Sequence, residues 1–332
     1  MDKSILGIDI SKEYFDACLI HNGREKYRKF SNNTRGFAKL TDFLNKEQVV
    51  NLHVCMESTG RLYEAVASYL VSDGHKVSVI NPKCIKGFAQ SELQRSKTDK
   101  KDAGVIARFC KAHTPKVWQP QPPEIRELQE VMRYIESLKE NIHQEERRLE
   151  SGLTSETVRE TIVGHLNELK ATLASLKQWI KQHVKKHQRL QRHYELLTSI
   201  VGVGEMSAFT YLAEIGYSDQ FRQTRQLESY CGLAPRQFQS GSSIKGKERI
   251  SKVGNSRMRC ALYMPALAAR DHNPILRTFA KRLEKAGKPP KVIICAVMRK
   301  LLRIMYAVVT SGTPFDPHYF PGPIEGMTFA EQ

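Results

Sequence analysis

Four acidic residues in the first third of the chain could perform chemistry together: Asp9, Glu57, Asp99 and Asp102. Asp9 follows a short apolar run and Glu57 ends another, so both are predicted at the ends of strands. Asp99 and Asp102 are three residues apart at the start of a predicted helix and therefore face the same side. Acidic groups at strand ends and at a helix start can converge on one point.

The chemistry that such a cluster supports is metal-dependent phosphoryl transfer. Neighbouring carboxylates repel one another unless a cation neutralises them, and ligand sets made only of oxygen suit Mg²⁺. A carboxylate site of this kind can activate in-line attack on a phosphodiester. Each acid alone is more typical of a turn or a helix cap. The order of strand acid, hairpin, strand acid and helical acid pair, however, matches nucleases of the RNase H and RuvC type.

The elements predicted around these acids form an α/β domain over residues 1–113. Strands are predicted near residues 4–10, 14–20, 25–30, 51–56 and 76–80, and helices near residues 34–46, 60–73 and 99–112. The dipeptide Asn22-Gly23 favours a two-residue hairpin turn between the second and third strands. Residues 114–123 are rich in proline, which cannot continue a helix, and predict a linker.

Residues 124–195 predict two long helices paired as an antiparallel hairpin or coiled coil. Apolar residues recur with heptad spacing, at Leu128, Ile135, Ile142 and Leu149 in the first helix and at Ile162, Leu169, Leu176 and Leu190 in the second. Such an element could bridge domains or join protomers. His183 and His187 have the spacing of a zinc pair, but no further Cys or His is arranged beside them and both fall in the apolar seam.

The last part of the chain predicts a mainly helical domain over residues 196–320, followed by a tail at 321–332. Its segment LLTSIVGVGEMSAFTYLAEIG has the form of a helix, a GxG turn and a helix. A turn of this kind can present backbone N–H groups to a DNA phosphate, or can simply join two packed helices.

Composition favours a nucleic-acid partner. The chain has 332 residues, 40% of them hydrophobic, and a formal net charge of +17. The excess of Lys and Arg is concentrated in residues 236–303, and such a field attracts polyanions. Adhesion to an anionic membrane is the alternative, but this block lacks an apolar anchor. The chain also lacks a signal sequence and an apolar run of about 18 residues. Its seven cysteines lack CxxC spacing, and we expect a soluble, intracellular protein with reduced thiols.

A serine cluster lies inside the basic block, where Ser240, Ser242 and Ser243 surround Gly241. No His lies close in sequence, so a hydrolase triad has no support. A serine beside cations could attack a phosphodiester if a metal site supplied the activation, or the loop could only bind phosphate. The basic residues predicted to bind nucleic acid here are Arg236, Lys245, Lys247, Arg249, Lys252, Arg257 and Arg259.

A set of short motifs occurs in one order over nearly the whole chain: GIDIS, MESTG, VINP, KTDKKDA, GVG, GLAPRQFQSGSS, SKVGN and ALYMPA. Together these motifs resemble the DEDD-type insertion-sequence transposases of the IS110 family, which are recombinases guided by a bridge RNA. The resemblance implies a RuvC-like N-terminal domain, a coiled-coil bridge and a C-terminal transposase domain in a bacterial, nucleoid-associated protein.

The same resemblance implies roles for individual residues. Asp9, Glu57, Asp99 and Asp102 match the four Mg²⁺-binding acids of the family, and Ser240 matches its nucleophile, which forms a 5′-phosphoserine bond to DNA. It also implies a homotetramer in which the acids of one protomer and the serine of another form a composite site. A structured guide RNA would pair with donor and target DNA. The alternatives are a RuvC-like structure-selective nuclease that uses water and a non-catalytic RNA-binding scaffold.

Overall fold

A computed structural model describes residues 4–58, 60–92, 99–236, 239–240, 244–245 and 249–318. The chain divides after Pro120 into two compact units. The first unit combines a mixed β-sheet with helices, and the second is mainly helical. The prediction of an α/β region followed by a helical region is therefore confirmed.

The first unit contains five strands and four helices within its described residues. They are β1 Ser4–Ile10, β2 Tyr14–His21, β3 Arg24–Ser31, α1 Thr34–Lys46, β4 Leu52–Glu57, α2 Glu64–Ser72, β5 Lys76–Ile80, α3 Pro82–Ser91 and α4 Asp99–His113. The predicted strands, α1 and α4 are confirmed to within one residue, and α2 is shorter than predicted. Helix α3 was not predicted. It begins at Pro82 because Asn81 caps it, accepting a hydrogen bond of 2.9 Å from the backbone N–H of Lys83.

The five strands form one sheet in the order β3-β2-β1-β4-β5. Strands β1, β4 and β5 are parallel, whereas β2 and β3 run antiparallel to their neighbours. Asn22 and Gly23 form the predicted two-residue turn between β2 and β3, with φ angles of 48° and 74°. Positive φ at both positions matches the twist of the flanking strands.

Each face of this sheet is covered by helices, because successive side chains of a strand point to opposite faces. One face carries residues such as Leu6, Ile8 and Val54 and packs with α1 and α2. The other face carries residues such as Ile5 and Cys55 and packs with α3 and α4. Alternation along β1 therefore decides which residues face α4: Ile5, Gly7 and Asp9.

Helix α4 lies unusually close to β1, and Gly7 makes this approach possible. A Cβ atom built on Gly7 would lie 2.2 Å from the carbonyl oxygen of Ala103 and 2.3 Å from the backbone nitrogen of Ala107. Both distances are far inside van der Waals contact and both involve backbone atoms. Any side chain at this position would push the helix away from the sheet.

The second unit contains nine helices and four short strands within its described residues. They are α5 Pro123–Glu150, α6 Glu156–Lys186, α7 Gln188–Thr198, α8 Glu205–Ile215, α9 Thr224–Tyr230, β6 Pro235–Arg236, β7 Gln239–Ser240, β8 Ile244–Lys245, β9 Arg249–Ile250, α10 Ser256–Ala261, α11 Tyr263–His272, α12 Pro274–Lys285 and α13 Pro290–Ser311. No helix in the described part of the chain is long and apolar enough to cross a membrane.

Helices α5 and α6 are the two predicted long helices, and they pair in antiparallel fashion. Lys170 lies 2.8 Å from Glu146 near one end of the pair, and the ring of His183 bonds the carbonyl oxygen of Glu124 near the other. The heptad prediction is wrong at Leu190. The backbone is extended at His187, with φ −109° and ψ 105°, so α6 ends there and Leu190 belongs to α7.

The predicted GxG turn lies between α7 and α8, and its glycine serves packing. Gly202 has a φ of 100°, and a Cβ atom built on it would lie 2.7 Å from the Cβ of Ala269 in α11. The turn is therefore pressed against a neighbouring helix. This contact explains the glycine without a phosphate.

The close approach at Gly7 generates a prediction about stability. Gly7→Ala should lower the free energy of unfolding by about 3 kcal/mol, because the new methyl group meets immovable backbone atoms. Urea denaturation followed by circular dichroism measures the change. Gly87→Ala in α3 is the matched control, since nothing lies within 4 Å of its built Cβ atom. This control should gain up to about 1 kcal/mol, and equal effects of the two substitutions would contradict the packing described.

Candidate functional site

Asp9 and Glu57 lie next to each other at the carboxyl ends of two parallel strands. The register of β1 and β4 pairs Gly7 with Cys55 and Ile8 with Met56, so Asp9 and Glu57 occupy the following positions. Both carboxylates are half-buried. Since paired residues share a face and neighbouring strands are about 4.8 Å apart, the two side chains stand side by side on the face that α4 covers.

The start of α4 points towards the same end of the sheet. Gly104 lies against Tyr27, whose hydroxyl would be 2.7 Å from a Cβ built on that glycine, and one turn later Arg108 lies 3.5 Å from Glu25. The registers of β1, β2 and β3 place Tyr27 level with Gly7. They place Glu25 level with Ile5, which precedes Gly7 in β1. Helix α4 therefore runs antiparallel to β1, and its first turn lies towards Asp9.

Asp102 lies on the stripe of α4 that faces the sheet. Ala103 and Ile106 are fully buried against the sheet. Asp102 is half-buried, and it falls on this stripe because residues three and four apart share a helix face. The backbone of Asp99 begins the helix. Three predicted acids thus lie at one end of the sheet, and the backbone of the fourth begins the helix that covers it.

A fifth carboxylate on this face was missed by the sequence analysis. Asp16 in β2 is paired directly with Asp9, and Lys29 in β3 is paired with Asp16. The Nζ atom of Lys29 lies 3.4 Å from Oδ2 of Asp16. The signal was present in the sequence, because the two-residue turn at Asn22-Gly23 fixes the register and places Lys29 opposite Asp16.

Together these residues form a charged row across four neighbouring strands, which we call the acid row: Lys29, Asp16, Asp9 and Glu57. Like charges directly opposite each other in a sheet are destabilising. Lys29 forms an ion pair with Asp16 within the row. An added cation would lower the electrostatic energy of carboxylates that stand side by side.

The donor chemistry of this site fits Mg²⁺, because carboxylate oxygen is the ligand that Mg²⁺ prefers. Among the side chains that the structure describes, however, no group of three or more His, Cys, Asp and Glu is close enough to hold a metal ion. Asp9, Glu57 and Asp102 share one end of the sheet without forming a closed ligand group of their own. The site residues thus match Mg²⁺ in chemical type and in their shared location.

Neutral thiols lie beneath the acids, between α4 and the sheet. A hydrogen bond with Cys110 and burial both raise the pKa of the Cys55 thiol. Burial raises the pKa of the Cys18 thiol to about 11. These thiols therefore stay protonated at neutral pH and act as small apolar groups. Carboxylates are the anionic groups of this face.

Ser240, the first serine of the cluster, lies on a short β-ribbon in the second unit. Strand β6 pairs with β9, and farther along the same loop β7 pairs with β8, where Ser240 is opposite Ile244. Ser240 is the last residue of β7. Ser242, Ser243 and Lys247 lie outside the described residues.

The basic residues predicted around this ribbon divide into two groups. Arg236, Arg249 and Lys252 are exposed, and Lys245 lies in β8. The remaining two are engaged by the protein itself. Arg257 forms an ion pair of 2.9 Å with Glu136, and Arg259 donates a hydrogen bond of 3.0 Å to the carbonyl oxygen of Cys231.

A buried polar cluster anchors the foot of the ribbon. The side chain of Asn255 donates a hydrogen bond of 2.6 Å to the buried carboxylate of Glu214 and accepts one of 2.9 Å from the backbone N–H of Met258. Gly254 has a φ of 129°, and a Cβ built on it would lie 2.1 Å from the carbonyl oxygen of Tyr230. The ribbon therefore leaves the helical core from a fixed point.

Comparison with protein families identifies two regions of the chain. A DEDD-type IS110 family model described as "Transposase" matches residues 6–157. A second model, described as "Transposase IS116/IS110/IS902 family", matches residues 194–281. The first match contains all four predicted acids, and the second contains the ribbon with Ser240.

Individual relatives agree with these matches. The chain is 36% identical over 319 residues to the pilin gene-inverting protein of Moraxella bovis, which covers 95% of this chain and 98% of that protein. It is 25% identical to the transposase for insertion sequence element IS1328 of Yersinia enterocolitica, over 94% of this chain and 98% of that protein. A solved structure, YeaZ from Pseudomonas aeruginosa, is 16% identical to this chain, and the match covers 28% of this chain and 50% of the YeaZ chain. Its TM-score of 0.23 is too low to support a conclusion about the fold.

The acid row generates a prediction about the balance between stability and cation binding. Without divalent cations, Asp9→Asn should raise the free energy of unfolding by roughly 0.5–1 kcal/mol, because it removes one of two like charges that face each other. Added Mg²⁺ should stabilise the wild type more than Asp9→Asn. Urea denaturation with EDTA and with Mg²⁺ measures both effects.

Asp42→Asn is the control for this prediction, since Asp42 is an exposed acid on α1. Its removal should leave the response to Mg²⁺ unchanged. Equal stabilisation of all three proteins by Mg²⁺ would show that the cation acts on the general surface and not on the acid row.

Proposed function

This chain belongs to the IS110 family of insertion-sequence transposases, and on that premise we propose that its acid row and Ser240 cut and rejoin DNA strands. It is a DNA transposase or recombinase, and DNA is its substrate. The observation that carries the proposal is the placement of Asp9 and Glu57 on adjacent strand ends, with Asp102 on the sheet-facing stripe of α4.

We also propose that the first unit has a RuvC or RNase H type of fold. Three antiparallel strands followed by two parallel strands, with the first acid on the central strand, support this assignment. The hairpin of α5 and α6 would then serve as the coiled-coil bridge of the family. Its antiparallel pairing and its buried residues Leu128, Ile135 and Leu138 support that role.

In the proposed reaction, Asp9, Glu57, Asp99 and Asp102 would hold Mg²⁺. Bound there, Mg²⁺ would stabilise the negative charge that develops on the phosphoryl group under attack. The hydroxyl oxygen of Ser240 bonds to phosphorus, and the bond from phosphorus to the 3′ oxygen breaks. The products are a 5′-phosphoserine and a strand with a free 3′-hydroxyl.

Rejoining reverses this exchange with a different strand. A 3′-hydroxyl attacks the phosphoserine, forms a new phosphodiester and releases the hydroxyl of Ser240. One phosphoester bond forms for each one that breaks, so no ATP is required. In this proposal Ser240 is the covalent carrier between cleavage and joining, and it keeps the phosphoester bond that hydrolysis by water would break.

The partners in this proposal are donor DNA, target DNA and a structured guide RNA. The net charge of +17 and the exposed Arg236, Arg249 and Lys252 beside the ribbon support contact with nucleic-acid backbone. Base pairing by the RNA would select the sequence. In a homotetramer, the acids of one protomer would work with Ser240 of another.

Covalent trapping tests the nucleophile. Wild-type protein incubated with its guide RNA, Mg²⁺ and end-labelled donor DNA should retain label on the protein in a denaturing gel. Ser240→Ala should abolish this adduct because no other group carries the phosphoryl bond. Ser242→Ala and Ser243→Ala are the matched controls in the same loop and should retain the adduct.

The same experiment also tests the acidic residues. Asp102→Asn should abolish both the adduct and strand scission while leaving the circular dichroism spectrum unchanged. Scission without an adduct, retained in Ser240→Ala, would replace the proposal with a nuclease that uses water. RNA binding without any scission in the wild type would replace it with a non-catalytic scaffold.

A further inference from the structure

The hairpin of β2 and β3 exposes an aromatic ring and a cation beside the acid row. Tyr14 lies two residues before Asp16 in β2 and therefore shares its face. The Nζ atom of Lys29 lies 5.7 Å from the centre of the Tyr14 ring and 3.4 Å from Asp16. Tyr14 is 45% exposed, and the side chain of Lys29 is 56% exposed. We call these three residues the hairpin patch.

The other basic side chains of β3 with described partners lie on the opposite face. Lys26 forms an ion pair with Glu47, and the guanidinium of Arg28 lies 5.3 Å from the ring centre of Phe43 in α1. These two cations are used to attach α1 to the sheet. Lys29 instead points to the face of the acid row, at the open end beyond the part that α4 covers.

The backbone around Tyr14 is fixed before any ligand binds. The amide and the hydroxyl of Ser11 both donate to the carbonyl oxygen of Tyr14, at 2.8 and 2.7 Å. Asn32 donates from its backbone to the carbonyl oxygen of Glu13 and from its side chain to that of Leu62. An exposed ring on a fixed backbone loses little freedom when another planar group stacks on it.

We propose that the hairpin patch binds the DNA strand next to the phosphodiester that is cut. Tyr14 stacks on a base of that strand, and Lys29 binds a neighbouring phosphate. A ring for the base and a cation for the backbone are the two components of single-strand recognition. This inference rests on the proposed cleavage at the acid row, because only that reaction places a strand beside the patch.

Asp16 acts in this patch as a positioning residue. A lysine side chain has many rotamers, and its carboxylate partner across the strands restricts them. Asp16 also faces Asp9, so Lys29 lowers the repulsion within the row while it presents an ammonium group to the strand. Whether removal of Asp16 strengthens or weakens DNA binding distinguishes two explanations. Loss of a negative charge alone should strengthen the binding of a polyanion, whereas loss of positioning should weaken it.

Equilibrium binding without catalysis tests the patch. Fluorescence anisotropy of the full-length protein with a labelled single-stranded DNA oligonucleotide, in EDTA, gives Kd at several salt concentrations. Lys29→Met and Tyr14→Leu should each raise Kd about fivefold or more. Lys29→Met should also lower the slope of log Kd against log salt by about 0.7, which corresponds to one phosphate contact on a single strand.

The chain offers matched controls for both substitutions. Lys26→Met removes the same charge from the same strand on the opposite face and should change Kd by less than about twofold. Tyr14→Phe keeps the ring and should bind as the wild type does. Asp16→Asn should weaken binding in the wild type but not in the Lys29→Met protein, where only the loss of a negative charge remains.

Three outcomes would overturn the inference. Equal weakening by Lys29→Met and Lys26→Met would show a general charge effect, and tighter binding by Asp16→Asn would exclude positioning. A loss of affinity in Lys29→Met confined to an RNA oligonucleotide of the same sequence would exclude the DNA strand as the ligand. Wild-type protein that binds as described but never cleaves DNA would instead count against the proposed function, and the hairpin patch would then bind a strand that the protein does not cut.

Photocrosslinking of the wild-type protein tests the proposal even where a variant fails to fold. DNA substituted with 5-iododeoxyuridine at single positions, irradiated with wild-type protein, should crosslink to Tyr14 at a base adjacent to the cut phosphate. Mass spectrometry of the tryptic peptide locates the crosslink. Crosslinks at other aromatic residues, with none at Tyr14, would contradict the proposed stacking.

Discussion

The contact between α4 and β1 at Gly7 is the constraint on which the first unit depends. Backbone meets backbone there, with no room for a single methyl group. This contact sets the height of α4 over the sheet and, because the helix runs antiparallel to β1, directs its first turn towards Asp9. A sheet alone would present two adjacent acids on β1 and β4. Helix α4 adds Asp102 on the face that it covers, so the arrangement of these three acids is a consequence of packing.

If the acid row has the proposed function, the fold gives up some stability for it. Asp16, Asp9 and Glu57 occupy neighbouring positions on one face, an arrangement that costs electrostatic energy in the absence of cations. Below them, buried neutral thiols and small residues pack α4 tightly. The stability of the unit therefore comes from the layers beneath the acid row. In the proposed mechanism, the charged end of the sheet takes a metal ion and a phosphodiester.

Much of this arrangement was predictable from local signals. The turn at Asn22-Gly23 and the apolar strands around Asp9 and Glu57 gave the order of elements, because turn chemistry and alternation act over a few residues. The break at His187 was not predictable, since the heptad pattern continues through it. Asp16 was overlooked because its importance depends on its pairing with Asp9 in β1, whereas the turn at Asn22-Gly23 fixes only its pairing with Lys29. Helix α3 was missed because its segment is short and follows directly on β5.

The most direct test of this account is the location of the metal ion. Crystals of the protein with DNA and Mn²⁺ in place of Mg²⁺ would give an anomalous signal at the ion itself. The account predicts a peak at the carboxyl ends of β1 and β4, with oxygen ligands from Asp9, Glu57 and α4 at about 2.1 Å. An ion bound elsewhere, with Asp9 and Glu57 both away from it, would contradict the account.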